Sequence, residues 1–431
     1  MNRTTATSTR PRPALRWVLP LLLALGLLGL SPARAEAVPL TGATAVDGLR
    51  NTTCVVTNAA QARCWGEGNQ GQLGTGVFGD SGVANPVKGV GGEGVLTGVT
   101  AVSAGLNHAC AVLETGRAVC WGDDALGQLG NGAGDQDSST PVFVRNAADT
   151  APLSGVAQVS AGNSFTCVRL VSGQARCWGS DSDGQVGDGG PFNVEHPLPR
   201  VVSGTNGQGA LGGITQLSTG GDHACARLNT GQVRCWGRNT AGQLGDTTNE
   251  KRAFPVVVRN TSGTAALADV SQVAAGTSHT CARMANGTAR CWGEGNQGQL
   301  GNNDDLDRDR PVGVRAPTGS ALLSNVSQVT VGASHTCFRL ANGQARCTGQ
   351  GVSGQLGNPN FSDGPVLRPV VVRNPADTGA LTGVAQLSAG DSATCARLSN
   401  GQGRCWGEDG SHALGNGAAG SSDLPTVVEM P

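Results

Sequence analysis

The fourteen cysteines are the residues of this chain best equipped for chemistry, and their spacing selects which kind. They fall into seven pairs: Cys54 with Cys64, Cys110 with Cys120, Cys167 with Cys177, Cys225 with Cys235, Cys281 with Cys291, Cys337 with Cys347, and Cys395 with Cys405. Each pair has the pattern C-x9-C. Structural zinc sites typically set two cysteines two to four residues apart and complete the sphere with histidine or further cysteine. Here the gap is wider, and histidine does not accompany every pair. An even count at regular spacing reads instead as a disulfide framework. A hairpin loop centred between the two cysteines would set them directly opposite each other, at a separation a disulfide can span. Each pair is therefore expected to close within its own copy.

Other reactive patterns are weaker. Asn302 to Arg310 is the most acidic loop, with Asp305, Asp307 and Asp309 alternating. It lacks the glycine and distal glutamate of a calcium hand, and its own arginines offset the charge. Arg63, Arg176, Arg234, Arg290, Arg346 and Arg404 each precede a second cysteine, and Arg169, Arg227, Arg283, Arg339 and Arg397 sit two after a first one. They could be cation sites for an anionic partner, but the simpler reading is a strand face whose long stems pack on neighbours. No nucleophile elbow, phosphate-cradling loop or zinc-protease helix occurs. The sequence predicts no catalytic residue, no metal ligand and no cofactor.

The elements that position these residues follow from the period. Successive first cysteines lie 56, 57, 58, 56, 56 and 58 residues apart, which marks a repeat architecture. In one copy, Ile214 to Gly220 alternates apolar residues and ends in a turn. His223 to Leu228 and Gln232 to Gly237 flank Asn229-Thr230-Gly231, with glycine where a three-residue hairpin needs it. Pro255 to Val258 reads as a fourth strand, with proline at its first position. Four short antiparallel strands make one blade, and the unbroken period argues for blades closed into a single ring. The predicted fold is all-β, a seven-bladed β-propeller over 43–431, with repeats at 43–98, 99–155, 156–213, 214–269, 270–325, 326–383 and 384–431. The final Pro425 to Val428 segment either completes blade seven or pairs beside the first copy.

Residues 1–35 read as a signal peptide: a basic start, an apolar stretch from Trp17 to Leu30 too short for a comfortable span, and Ala33-Arg34-Ala35 as the cleavage site. Residues 36–42 are a short lead. The expected product is exported, to the periplasm or the medium. The net charge is −1, which argues against nucleic acid or an anionic membrane as partner. Only Lys88 and Lys251 are lysines, an arginine bias typical of a GC-rich bacterial genome. The N-x-[ST] triplets then read as chance matches.

Segments such as Val102-Ser-Ala-Gly105-Leu-Asn-His108 and Trp121-Gly122-x4-Gly127-Gln-Leu-Gly130 resemble repeats of the regulator of chromosome condensation family. The second motif recurs at Trp65, Trp236 and Trp292, and at Trp178 with Val186 for leucine. Thr348 replaces tryptophan in copy six, and His412-Ala413 replaces Gly-Gln in copy seven. The resemblance implies a seven-bladed propeller. The family histidine stands at His108, His223, His279 and His335, whereas Thr52, Phe165 and Ala393 take its place elsewhere. So variable a position reads as blade packing rather than chemistry.

Family members have diverse roles, and fold does not choose among them. The loop between third and fourth strands differs in every copy and is assigned Phe78, Phe192, Phe254 and Phe361. Variable loops on a repeated scaffold are where binding usually resides. The expected function is a non-catalytic propeller that binds an extracellular or periplasmic protein through one loop face, as a monomer. The alternatives are an inhibitor of an extracellular enzyme, as in a β-lactamase-capping relative, and nucleotide exchange on a small GTPase, which export disfavours.

Overall fold

Short runs of alternating apolar residues, broken by glycine turns, have no long amphipathic face to bury, so each pairs with its neighbours in sequence to build a sheet with a face to pack. The computed structural model describes residues 38–361 and 363–431; the expected leader, 1–35, lies outside the described residues. Seven antiparallel sheets of four strands follow one another along the chain, each in simple consecutive order. Blade four illustrates the rest, with strands Ile214–Thr219, His223–Leu228, Val233–Gly237 and Arg252–Val257.

The hairpin between second and third strands sets the cysteines in register, Cys225 against Cys235, with their Cα atoms 4.1 Å apart. The other blades repeat the bond. Cys54 is joined to Cys64 in blade one, Cys110 to Cys120 in blade two and Cys167 to Cys177 in blade three. Cys281 is joined to Cys291 in blade five, Cys337 to Cys347 in blade six and Cys395 to Cys405 in blade seven. No bond crosses from one blade to another, and none of the described cysteines is free. The core lies between blades. Cys225, Cys235 and Leu244 of blade four pack against Val270, Val273, Ala282 and Trp292 of blade five, and the other neighbouring pairs pack similarly, with no tryptophan between blades five and six.

Two expectations need correction. The fourth strand starts earlier than the proline suggested, at Arg252, and Pro255 is buried inside it. The register slips between Cys235 and Gly237. Proline lacks a donor, and this irregularity is where the ladder can spare one. Secondly, the lead is not outside the fold. Val38–Pro39 pairs with Glu429–Met430, and the buried Leu40 donates its N–H to Val428 O at 2.8 Å. Ser422–Val427 is the fourth strand of blade seven, so the end segment completes that blade and the two residues beyond it meet the lead.

Candidate binding face

Antiparallel order divides the turns between two faces. One face carries the hairpins between second and third strands together with the connections to the next blade. The other, the loop face, carries the tight turns between first and second strands and the longer loops between third and fourth.

Most repeated residues join blades. In six of the seven blades the Gly-Gln-Leu-Gly loop or its equivalent receives the tryptophan of the following blade. Trp178 Nε1 donates to Gln128 O at 2.8 Å, Trp236 to Gln185 O and Trp292 to Gln243 O. The glutamine side chain closes its own turn, as Gln128 Oε1 accepts the Leu126 N–H at 2.9 Å. The acceptor for tryptophan is main chain, so Ala413 can stand for glutamine and still receive Trp65. Where Thr348 replaces tryptophan, its hydroxyl bonds Val366 O at 2.6 Å and Gly298 O at 3.1 Å.

The histidines are packing groups too. His108 is fully buried, and its Nε2 meets Thr166 Oγ1 of the next blade at 2.8 Å. That hydroxyl donates onward to Gln128 O. His223, His279 and His335 repeat the link. Burial holds the imidazoles of His108, His223 and His279 down to about 3 and that of His335 to about 4. They are neutral at pH 7. Unfolding restores a pKa near 6.5, so each contributes stability above 6.5 that is lost as pH falls towards its folded value. Phe165 fills the same slot in blade three, which suggests a test. His108→Phe should cost about 1 kcal/mol at pH 7.5, through loss of the bond to Thr166. Below 6.5 the wild type should lose about 1.4 kcal/mol per pH unit from this group, so the two urea-denaturation curves should cross roughly one unit lower. A gap that stays constant from pH 7.5 to 5 would contradict the assignment.

Two of the arginines also tie neighbouring blades. Arg227 Nε donates to Val270 O of the next blade at 2.6 Å, and Arg339 repeats this with Val384 O. Burial lowers the pKa of Arg176, Arg234, Arg346 and Arg404.

Part of what the ring leaves unused lies on the loop face. Eleven large apolar side chains are exposed among the described residues, and six of them are in third-to-fourth loops: Val77, Phe78, Val194, Leu306, Val352 and Phe361. Phe78 is 57 % exposed beside Val77 at 63 %. Phe361 borders an apolar groove of about 540 Å³ lined by Pro365, Leu367 and Pro369. Phe192 is half-buried beneath Lys251, whose Nζ stands 4.3 Å from the ring centroid. Phe254 departs from its expected place: it belongs to the strand Arg252–Val257 and leaves the loop face. The loops therefore carry Phe78, Phe192 and Phe361, together with Leu306, which the aromatic pattern could not reveal.

Around these loops the rim is acidic. Glu67, Asp123, Glu294 and Glu408 follow their third strands, and Asp222 and Asp391 sit in first-to-second turns. Arg50 and Arg238 answer them, with Arg238 Nη1 3.4 Å from Asp222 and Arg50 Nε 4.0 Å from Glu67. Burial raises the pKa of Asp391, Arg50 lowers it, and Glu408 and Glu67 raise it further. The acidic loop of blade five is largely neutralised from within: Asp304 pairs with Arg308, and Asp307 Oδ1 accepts the Gly295 N–H. Among the described residues, Asp181, Asp188 and His196 form the group of side chains close enough together to hold a metal ion. Among the same residues, no helix is long and apolar enough to cross a membrane.

Comparison with known proteins agrees with this architecture. A family model described as RCC1-like domain matches residues 61–431. The ultraviolet-B receptor UVR8 of Arabidopsis thaliana is 28% identical over 369 residues, covering 85% of this chain and 77% of that protein. HERC6 of Homo sapiens, described as a probable E3 ubiquitin-protein ligase, is 30% identical over 72% of this chain, which spans only 28% of its length. Among solved structures, Prp20p of Saccharomyces cerevisiae superposes with a TM-score of 0.66 at 19% identity, over 90% of this chain and 87% of that one.

Proposed function

This chain belongs to the RCC1-like domain family, and from that premise we propose that it is an exported, non-catalytic binding propeller that holds another protein on its loop face. The observation that carries the reading is the concentration of exposed apolar side chains in the third-to-fourth loops, while the repeated histidine and tryptophan side chains, with Arg227 and Arg339, join blades. Aromatic anchors surrounded by a polar rim are the usual energetic centre of a protein interface. The acidic rim favours a partner with a basic surface. Prp20p is described as binding Gsp1p and histones, and those partners belong to that protein. Export rests on the leader reading of residues 1–35 and fits the seven disulfides, which persist in oxidising compartments. It requires that protein recovered outside the host cytosol begin at Glu36.

The four phenylalanines separate binding from packing. With a partner captured from the native medium, Phe78→Ala and Phe361→Ala are each expected to weaken binding by about 2 kcal/mol, roughly thirtyfold, at unchanged melting temperature. Phe254→Ala should instead lower the melting temperature and leave affinity alone, because its ring lies in a strand, beside Gly207 of the connection from the preceding blade. Phe192→Ala should show both effects in part. Full affinity retained by folded Phe78→Ala and Phe361→Ala proteins would remove the loop face from consideration and direct attention to the hairpin face.

A further inference from the structure

We propose that Asp181, Asp188 and His196 bind one divalent transition-metal ion of the zinc class within the loop of blade three. Asp181 follows the third strand, Ala175–Ser180. Asp188 follows Gly187, and His196 is the second residue of the fourth strand, Glu195–Val201. One donor atom from each lies within 4.8 Å of the others, and His196 Nε2 stands 3.7 Å from Asp181 Oδ2. Ligands bound at about 2.0–2.2 Å stand roughly 3–4 Å apart around a shared ion, so small side-chain movements would complete the sphere.

Two unpartnered buried atoms facing each other are particular to blade three: Asp124 and Asp409 hold the place of Asp181 in blades two and seven, also with an unpartnered Oδ2, but serine stands there where blade three has His196. Asp181 is 1 % exposed, and its Oδ1 accepts the Val186 N–H at 2.9 Å. Its Oδ2 is buried and accepts no hydrogen bond, and His196 Nε2 is buried and makes none. The two atoms face each other across a gap too long for a hydrogen bond. Buried polar atoms without partners are costly, and a cation between these two would satisfy both. Asp188 is held ready for the same ion. Its Oδ1 accepts the Gly190 N–H at 2.8 Å and its Oδ2 accepts Arg200 Nε–H at 3.1 Å, while each oxygen keeps a further lone pair.

Blade four shows how the same loop closes without a metal. Asn239 takes the position of Asp181, Asp246 that of Asp188, and Arg252 that of His196; His196 and Arg252 pair with the equivalent glycines Gly179 and Gly237. There, Asn239 Nδ2 donates to Asp246 Oδ1 at 3.1 Å and to Thr248 O at 2.9 Å, and Arg252 pairs with Asp246 at 3.1 Å. In blade three aspartate replaces the amide donor and histidine replaces the fixed cation. The loop thereby loses the amide and guanidinium donors that fill this place in blade four and gains ligands, while Arg200 still donates to Asp188. An imidazole beside two carboxylates suits zinc and similar ions, whereas calcium and magnesium prefer all-oxygen shells. The ion would pin the loop that carries Phe192.

The test uses untagged full-length mature protein, stripped with chelator and titrated with zinc chloride in a calorimeter, with melting curves recorded with and without the metal. The expected result is one bound equivalent and a melting temperature raised by a few degrees. His196→Arg, which copies Arg252, should fold in chelator as well as the wild type yet lose the bound equivalent; Asp181→Asn should lose it too. His412→Ala, at a half-buried histidine in blade seven, should retain it. No bound equivalent in the wild type, or an equivalent that persists in folded His196→Arg protein, would overturn the proposal.

Discussion

Complete reduction of the seven disulfides is expected to lower the melting temperature further than any single substitution. Each bond joins residues that face each other across a hairpin and closes a sequence separation of ten. In the chain-entropy model a loop of that size is worth roughly 2–3 kcal/mol. Seven independent loops would then total about 14–21 kcal/mol, as large as the whole net stability of a typical domain. The chain has little to replace it with, since aromatic residues are only 3% of the composition. The cysteines are buried, so a reductant reaches them only when a blade opens, and reduction of the folded protein should be slow. The measurement is a melting curve after reduction in denaturant and refolding in reductant, with thiols titrated to confirm fourteen. A midpoint unchanged within a degree or two would show that the blades stand without their bonds.

Trp178→Ala and Gly130→Ala are expected to be the most damaging single changes, and to be strongly coupled. Trp178 is fully buried, and truncating a buried tryptophan costs about 3–5 kcal/mol. Gly130 lies against it with φ +64°, and a Cβ there would come within 2.5 Å of the indole Nε1. The contact forces the ring or the loop to move, and the left-handed backbone adds roughly 1–2 kcal/mol for any residue with a Cβ. In the Trp178→Ala background the clash disappears and only the backbone penalty should remain. A double-mutant cycle by urea denaturation should therefore give a coupling of about 1–3 kcal/mol. Additive effects would show that the glycine is required by the turn alone.

The blade itself was legible because its information is local. Cysteine spacing, alternating residues and a glycine at the hairpin all act within about twenty residues, and they state register directly. The histidines read as packing groups because one position cannot hold threonine, phenylalanine and alanine in turn and still perform one reaction. What escaped lies between blades. The partner of Trp178 is fifty residues earlier, so the Gly-Gln-Leu-Gly loop gave no sign that it is a socket for the next blade. Pro255 marked the irregularity inside its strand, which displaced Phe254 from the loops. Asp181 and His196 carry no recognisable spacing, and their approach depends on how one loop folds back.

The inner strands show a further pattern. Gln158, Gln216, Gln272, Gln328 and Gln386 each grip the first strand of the next blade with both amide atoms, donating to a carbonyl and accepting from the N–H of the same residue. Ala45 and Ala101 hold that position in blades one and two. The boundary between those two blades also lacks the histidine link, because Thr52 bonds Glu67 O of its own blade. Its inner polar clasp is the partly buried carboxylate of Asp47, which accepts the Ala104 N–H at 3.0 Å and whose pKa desolvation pushes up to about 6. The place where the chain ends meet keeps its glutamine, its serine and its tryptophan. The ring thus has a hinge line away from its seam: thermal breathing should begin between the first and second blades, and amides there should exchange with solvent before those where the termini join.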